Sequence, residues 1–253
     1  MGKILALFNQ KGGVGKTTTC ANLCACLSMQ GKKVLAVDFD PQSNLSSGLN
    51  IPKNDVANSI YDVLVEDTDI NEAVLQTSVK GLDIVPASIE LAGAEIEMSN
   101  VPYRETILKR RLSKLNRQYD YIIIDCPPSL GLLPINALAA ADGVLIPIQC
   151  EYYALEGVSQ LINTVNLVTK SINPHLSVEG VILTMFDSRT NLSLQVVEEV
   201  RNFFGKKVFE SIIPRNVRLA EAPSFGQTIV QYDKSSKGSI AYMSLAKELI
   251  QRT

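Results

Sequence analysis

The sequence predicts an α/β fold in which a mostly parallel, twisted sheet carries helices on both faces. Six short apolar runs, each the length of a buried strand, recur at 4–8, 34–37, 82–85, 121–124, 144–148 and 178–185. Segments with apolar residues at helical spacing lie between or after them, at 21–29, 104–115, 155–168, 192–204 and 240–250. The strand candidates are apolar at successive positions, the pattern of strands covered on both sides, and strands alternating with helices pair in parallel. Ligands of such sheets sit at the carboxyl ends of the strands.

The bulk properties agree with one unit. At 253 residues and 46% hydrophobic composition the chain can bury one large core, and with no linker, repeat or composition break a single domain over 1–253 is expected. A formal net charge of -2 excludes a uniformly basic surface, so any nucleic-acid contact must be local. Five cysteines without paired metal-ligand spacing fit a reducing compartment as buried thiols. No leader pattern and no apolar run of membrane-spanning length is present, so a soluble, cytoplasmic protein is expected.

The first run leads into Asn9-Gln10-Lys11-Gly12-Gly13-Val14-Gly15-Lys16-Thr17-Thr18 and then into a helical pattern. Strand, Gly-rich turn and helix form the context of a phosphate-binding loop. Glycines let backbone N–H groups close on phosphate oxygens, the helix start adds positive dipole, Lys16 can neutralise β- and γ-phosphates, and the Thr17 hydroxyl can ligate Mg2+. Gln10 stands where the general pattern has glycine, and a second lysine, Lys11, follows it.

The second run ends in Asp38-Phe39-Asp40-Pro41-Gln42, on the same sheet edge. A carboxylate there can orient an attacking water or hold Mg2+ through water. The polar stretch 43–58, rich in Gly, Pro and Asn, reads as a mobile loop. The run at 121–124 ends in Asp125-Cys126-Pro127-Pro128, an apolar strand closed by a carboxylate that suits the magnesium shell. Beyond it, 189–253 hold ten Lys or Arg against six Asp or Glu, a charge of +4, leaving 14 against 20, or -6, for the rest. The only candidate DNA footprint therefore lies in the C-terminal quarter, with Arg189 and Arg218 first and Lys206, Lys207, Arg215, Lys234, Lys237 and Lys247 as helpers. No helix-turn-helix or finger surrounds them, so contact should be to phosphates and not to sequence.

Lys11-Gly12-Gly13-Val14-Gly15-Lys16-Thr17 resembles the signature of the deviant Walker A ATPases. The motifs Asp38 to Asn44, Asp125 to Gly131, Leu183 to Arg189 and Ile213 to Ser224 resemble the ParA/Soj chromosome- and plasmid-partitioning ATPases of that superfamily over nearly the whole chain. The resemblance implies a P-loop ATPase using ATP and Mg2+, in an ATP-sandwich homodimer in which Lys11 reaches the partner's nucleotide. It implies that Asp40 helps position the attacking water, that Asp38 and Asp125 support the magnesium shell, and that Pro214, Asn216 and Met185 lie at the adenine. It also implies non-specific binding of double-stranded DNA by the dimer, a nucleoid location, and release on hydrolysis stimulated by a ParB/Spo0J-type partner. Two alternatives remain: a MinD-like membrane-associated positioning ATPase and an ATP-dependent metal-cluster carrier. The chain ends at Gln251-Arg252-Thr253 without a basic amphipathic tail, so no stable membrane binding is expected, and three of the five cysteines fall in one early helix, unlike a cluster-holding pair.

Overall fold

Runs that are apolar at every position fold here as strands buried on both faces. A computed structural model describes residues 2–52, 56–151 and 157–253. The strands are β1 (Lys3–Leu7), β2 (Val34–Asp38), β3 (Leu75–Gln76), β4 (Leu82–Val85), β5 (Tyr121–Asp125), β6 (Gly143–Gln149) and β7 (Ser177–Thr184). They form one sheet in the order β3-β4-β2-β5-β1-β6-β7, parallel throughout except for β3, which runs antiparallel to β4.

Alternate side chains of each strand enter different cores. Ile4 and Ala6, Leu35 and Val37, Ile122 and Ile124, and Val144, Ile146 and Ile148 face one layer. Leu5 and Leu7, Val34 and Ala36, Ile123 and Leu145 face the other. The first layer is covered by α3 (Ile60–Val65), α4 (Ile70–Ala73), α5 (Leu91–Glu97), α6 (Ile107–Leu112), α7 (Leu132–Ala140), α8 (Val158–Ser171) and α9 (Asn191–Phe204). The second is covered by α1 (Lys16–Met29), α2 (Asn44–Gly48), α10 (Val217–Glu221), α11 (Ile229–Tyr232) and α12 (Lys237–Arg252). α1 lies between the sheet and α12, which explains its small side chains: Cys20, Cys24 and Cys26 are fully buried there. All five cysteines are buried and free, and burial pushes the Cys26 and Cys150 thiols up to about 12.

Three expectations are modified. The stretch read as a mobile loop at 43–58 carries α2, and Leu45, Leu49 and Ile51 are buried against the second core, because Ser46 is tied to the carboxylate that ends β2. Residues 53–55 of that stretch lie outside the described ones. The helix expected over 104–115 is a 3-10 turn at Arg104–Thr106 followed by α6. The helix expected over 155–168 begins at Val158, and Leu155 lies outside the described residues. Among the described residues no helix is long and apolar enough to cross a membrane.

Past β7 the chain turns back through α9 and runs up the sheet edge as a broken strand. Val208 bridges Val181, Phe209 N donates to Val181 O at 2.9 Å, and Ile213 N donates to Leu183 O at 2.9 Å. Close approach requires Gly180: a Cβ there would lie 2.2 Å from Cε2 of the fully buried Phe209. Gly180→Ala should therefore overpack this edge and cost about 1–3 kcal/mol. For a chain of this size the loss of Tm is roughly 2–12 °C. Thermal unfolding checks it; an unchanged Tm would mean that the ring can swing aside.

Candidate functional site

The loop between β1 and α1 wraps a cradle at the carboxyl ends of the strands. Gly13 (φ 75°) and Gly15 (φ 90°) adopt left-handed backbone that a side chain would strain. Thr184 Oγ1, at the end of β7, donates to Val14 O at 2.9 Å and pins the loop from the side. Lys16 is buried inside, and its Nζ donates to Asn9 O at 2.9 Å and Lys11 O at 3.0 Å. Burial lowers its pKa, with Asp125 and Asp40 among the opposing influences. Gly12 and Gly13 are exposed, and Thr17 and Thr18 half-buried. Lys11 is exposed, and its ammonium makes no hydrogen bond or ion pair among the described residues.

Three carboxylates lie at this end of the sheet, Asp40 lining the cradle and Asp38 and Asp125 buried behind it. Parallel register sets Asp38, the last residue of β2, beside Asp125, the last of β5, which in turn lies beside Leu7. Asp38 is fully buried, and its Oδ2 accepts from Ser46 N at 2.8 Å and Ser46 Oγ at 2.6 Å. Burial pushes its carboxyl up to about 6 against those two bonds. Asp40 is buried as well; its Oδ1 accepts from Gln42 N at 3.0 Å, a turn that presents the carboxylate toward the cradle. Asp125 differs from both. It is fully buried, and among the described residues no donor, the nearby Thr17 hydroxyl included, makes a well-formed hydrogen bond to either carboxylate oxygen. Burial, then the neighbouring Asp38, push its carboxyl well above the usual range, with the Thr17 hydroxyl and Lys16 opposing. A buried carboxylate without partners is costly unless a cation meets it, and carboxylates with a threonine hydroxyl close by are oxygen donors that suit a hard divalent ion such as Mg2+.

Two clefts join at Gly15, Thr18 and Met185. One, of about 340 Å³, is lined by Gly12, Gly13, Lys16, Thr17, Asp40 and Pro128. The other, of about 230 Å³, is lined by Thr184, Ile213, Pro214, Asn216, Leu219 and Tyr242. The first has the polarity for phosphates and the second the apolar walls for a base. Phe186 N donates to Ile213 O at 3.1 Å and Arg215 N to Phe186 O at 2.9 Å, which holds Pro214 beside Met185. Met185 itself has φ 54°, left-handed for a non-glycine residue, the kind of strain that persists at ligand sites. Asn216 lines this cleft and caps α10 by accepting from Arg218 N at 2.8 Å, a bond that uses its amide oxygen and not its amide nitrogen. A larger cleft of about 510 Å³ at the opposite end of the sheet, lined by Lys33, Lys80 and Arg117 among others, contains none of the candidate residues.

The basic residues do not form one continuous face. Arg218, Lys234 and Lys237 gather around α10 and the start of α12, where Arg218 pairs with Glu221 at 2.9 Å and lies 3.9 Å from Asp233. Arg215 pairs with Glu151 at 2.8 Å, and Arg189 holds Asp187 through two bonds of 2.9 and 2.6 Å. This pairing draws the Asp187 carboxyl below its usual range. Lys206 and Lys207 lie at the far end of the broken edge strand, where their carbonyls accept from Arg252, and Lys247 is on the lower part of α12. A count along the chain cannot see this scatter. Exposed pairs of this type are worth only about 0–1 kcal/mol, so each arginine can exchange a carboxylate for a phosphate.

With this geometry the comparisons with known proteins agree. The AAA domain family profile matches residues 2–178. The sporulation initiation inhibitor protein Soj of Bacillus subtilis is 60% identical over 249 residues, covering 98% of each chain. The chromosome partitioning protein ParA of Myxococcus xanthus is 55% identical, covering 100% of this chain and 89% of its own. The chain belongs to the ParA/Soj family of chromosome-partitioning ATPases. A Mycobacterium smegmatis structure described as cobyrinic acid a,c-diamide synthase, with bound ADP and magnesium, is 40% identical with a TM-score of 0.87, covering 99% of this chain and 95% of its own. A ParA/Soj chain thus shares its frame with proteins of other names, and surfaces beyond the nucleotide cleft must be argued from its own residues.

Several residues that build the site carry no role in the sequence reading, two of them outside its motifs and one, Thr184, within them. Ser46 holds Asp38 and also accepts from Ala87 N at 3.2 Å. Thr184 ties the loop to β7. Glu95 Oε1 accepts from Leu133 N at 3.0 Å and so caps α7, behind the segment that follows Asp125. A serine eight positions past Asp38 and a carboxylate on a short helix carry no local signal of such contacts.

Proposed function

We propose that the chain is a nucleotide-switched partitioning ATPase: Mg-ATP brings two copies together, the dimer binds DNA through its phosphates, and hydrolysis stimulated by a ParB-type partner returns it to the unbound state. The observation that carries this reading is the division of labour between two lysines of one loop, Lys16 turned into the cradle and Lys11 turned out to solvent. A lysine needed only for its own nucleotide has no reason to face outward.

Within the cradle, the backbone N–H groups around Gly13 to Thr18 and the Lys16 ammonium hold the β- and γ-phosphates. Thr17, Asp38 and Asp125 are the residues that would hold magnesium, whose charge counters that developing on the phosphate oxygens. Asp40 orients the attacking water from the rim of the same cleft. Pro214 and Asn216 would contact the adenine with Met185 near it, and the Asn216 amide is of the kind that can pair with an adenine edge.

The DNA surface rests on Arg189, Arg215 and Arg218 with Lys234 and Lys237, all near the nucleotide end of the sheet, so that a two-fold dimer repeats them. Lys206, Lys207 and Lys247 contribute from further away. DNA affinity should rise when ADP is replaced by a non-hydrolysable ATP analogue. It should be nearly independent of sequence and fall with salt with a log–log slope of about -0.9 per phosphate neutralised. The Arg189→Ala, Arg218→Ala double variant should bind more weakly and with a flatter slope. Equal affinity in both nucleotides, or wild-type affinity in the double variant, would overturn the DNA part of the reading.

A further inference from the structure

Besides the Thr184 bond to Val14 O, two separate sets of bonds hold the part of the loop that leads to Lys11. One set belongs to Lys16, whose ammonium donates to the carbonyls of Asn9 and Lys11 at 2.9 and 3.0 Å. The other belongs to Asn9. Its Nδ2 donates to Pro147 O, inside β6, at 2.8 Å, and its Oδ1 accepts from Lys11 N at 3.0 Å, a side-chain turn that closes over Gln10. Gln10 is turned sideways too, with Nε2 donating to Thr164 Oγ1 on α8 at 3.3 Å. Lys11 is thus the first residue of the loop whose side chain is tied to nothing, and the direction it takes is set by the turn that Asn9 makes.

The two sets respond differently to nucleotide. An ammonium has three protons, and two of those on Lys16 are given to backbone carbonyls. Reaching both the β- and γ-phosphates takes at least one of these away from the loop. The Asn9 bonds use no group that a phosphate needs, since the Lys11 N–H already points at Oδ1. When Lys16 is drawn to the nucleotide, Asn9 becomes the main tie between the Lys11 backbone and the sheet.

We propose that Asn9 is a positioning residue for the reaction in trans: by bridging β6 to the Lys11 N–H it keeps the Lys11 side chain aimed out of its own cradle once nucleotide has engaged Lys16. This rests on the proposed role of Lys11 in the dimer. It predicts a defect confined to the nucleotide-bound, dimerising state, whereas a merely structural asparagine would weaken the fold and all nucleotide binding alike.

The test compares wild type with Asn9→Ala, Asn9→Ser and Lys11→Ala, reading Tm without nucleotide, ADP affinity by calorimetry, and dimerisation by light scattering with a non-hydrolysable ATP analogue. Asn9→Ala should keep ADP affinity within about threefold and lose dimer affinity by at least about tenfold, since both of its neutral hydrogen bonds, to Pro147 O and from Lys11 N, are removed together. Serine can form a similar though weaker turn to the N–H two residues on, so Asn9→Ser should recover part of the loss, and it preserves the test if the alanine variant folds poorly. Wild-type dimerisation in Asn9→Ala, or ADP affinity falling as far as dimerisation does, overturns the proposal. The companion variant separates the two ideas. If Lys11→Ala dimerises normally, the trans-lysine reading falls and takes this one with it; if Lys11→Ala fails to dimerise while Asn9→Ala and Asn9→Ser behave as wild type, only the role of Asn9 is lost.

Discussion

Lys16→Ala is expected to lose nucleotide affinity by on the order of 10²- to 10³-fold, the effect of removing a buried, hydrogen-bonded charge from an anion site. The position admits no substitute. Lys16 is buried in the cradle, and no other ammonium is placed inside it, since Lys11 faces solvent. Its loss also strips the carbonyls of Asn9 and Lys11 of their shared donor and takes away a cation that favours ionised Asp125. Calorimetry with ADP and Mg2+ measures the change directly, and affinity equal to wild type would remove the basis for placing phosphates in this loop.

Asp40→Ala should separate binding from chemistry. Asp40 lines the cleft of Lys16 and Thr17 but has no bond to either, being held by the Gln42 backbone. ATP affinity should therefore remain within about threefold while turnover falls on the order of 10²- to 10³-fold, the usual cost of removing one group that positions a reactant. Phosphate release under saturating ATP checks this. Unchanged turnover would reduce Asp40 to a turn former before Pro41, and loss of ATP binding would move it into the magnesium shell.

The parts of the site that were legible in the sequence share one property: each group follows an apolar run, Asp38 and Asp125 directly and Lys16 after a short Gly-rich turn. Lys16, Asp38 and Asp125 need no tertiary information, because a parallel sheet delivers the ends of all such runs to the same edge, and the observed register sets Leu7, Asp38 and Asp125 side by side. The supports were not legible because they cross the sheet. Asn9 meets Pro147 across 138 positions and Thr184 meets Val14 across 170, and neither pairing leaves a local pattern. Short helices were hidden for a different reason. α7 is apolar on nearly every side and carries Pro134 in its first turn, so it shows no helical stripe against a polar background. The charge count is blind in a third way: Arg189 and Arg215 each pair with a carboxylate, Asp187 and Glu151, that lies outside the segment over which the sum was taken.

The sheet margins bear on how copies of this chain can meet. A seven-stranded sheet has two borders of unpaired backbone groups, and an open border invites another chain to add itself as a further strand. Here one border is β3, two residues long and reversed in direction, and the other, β7, is covered by the interrupted segment that bridges it at Val208 and bridges Phe186, just past its end, at Pro214, a residue without an N–H to offer. Neither border presents a long, regular row of donors and acceptors. Strand-to-strand stacking of molecules into fibrils finds no regular border to start from, so a contact between copies, as in the proposed dimer, would have to be made through helices and loops.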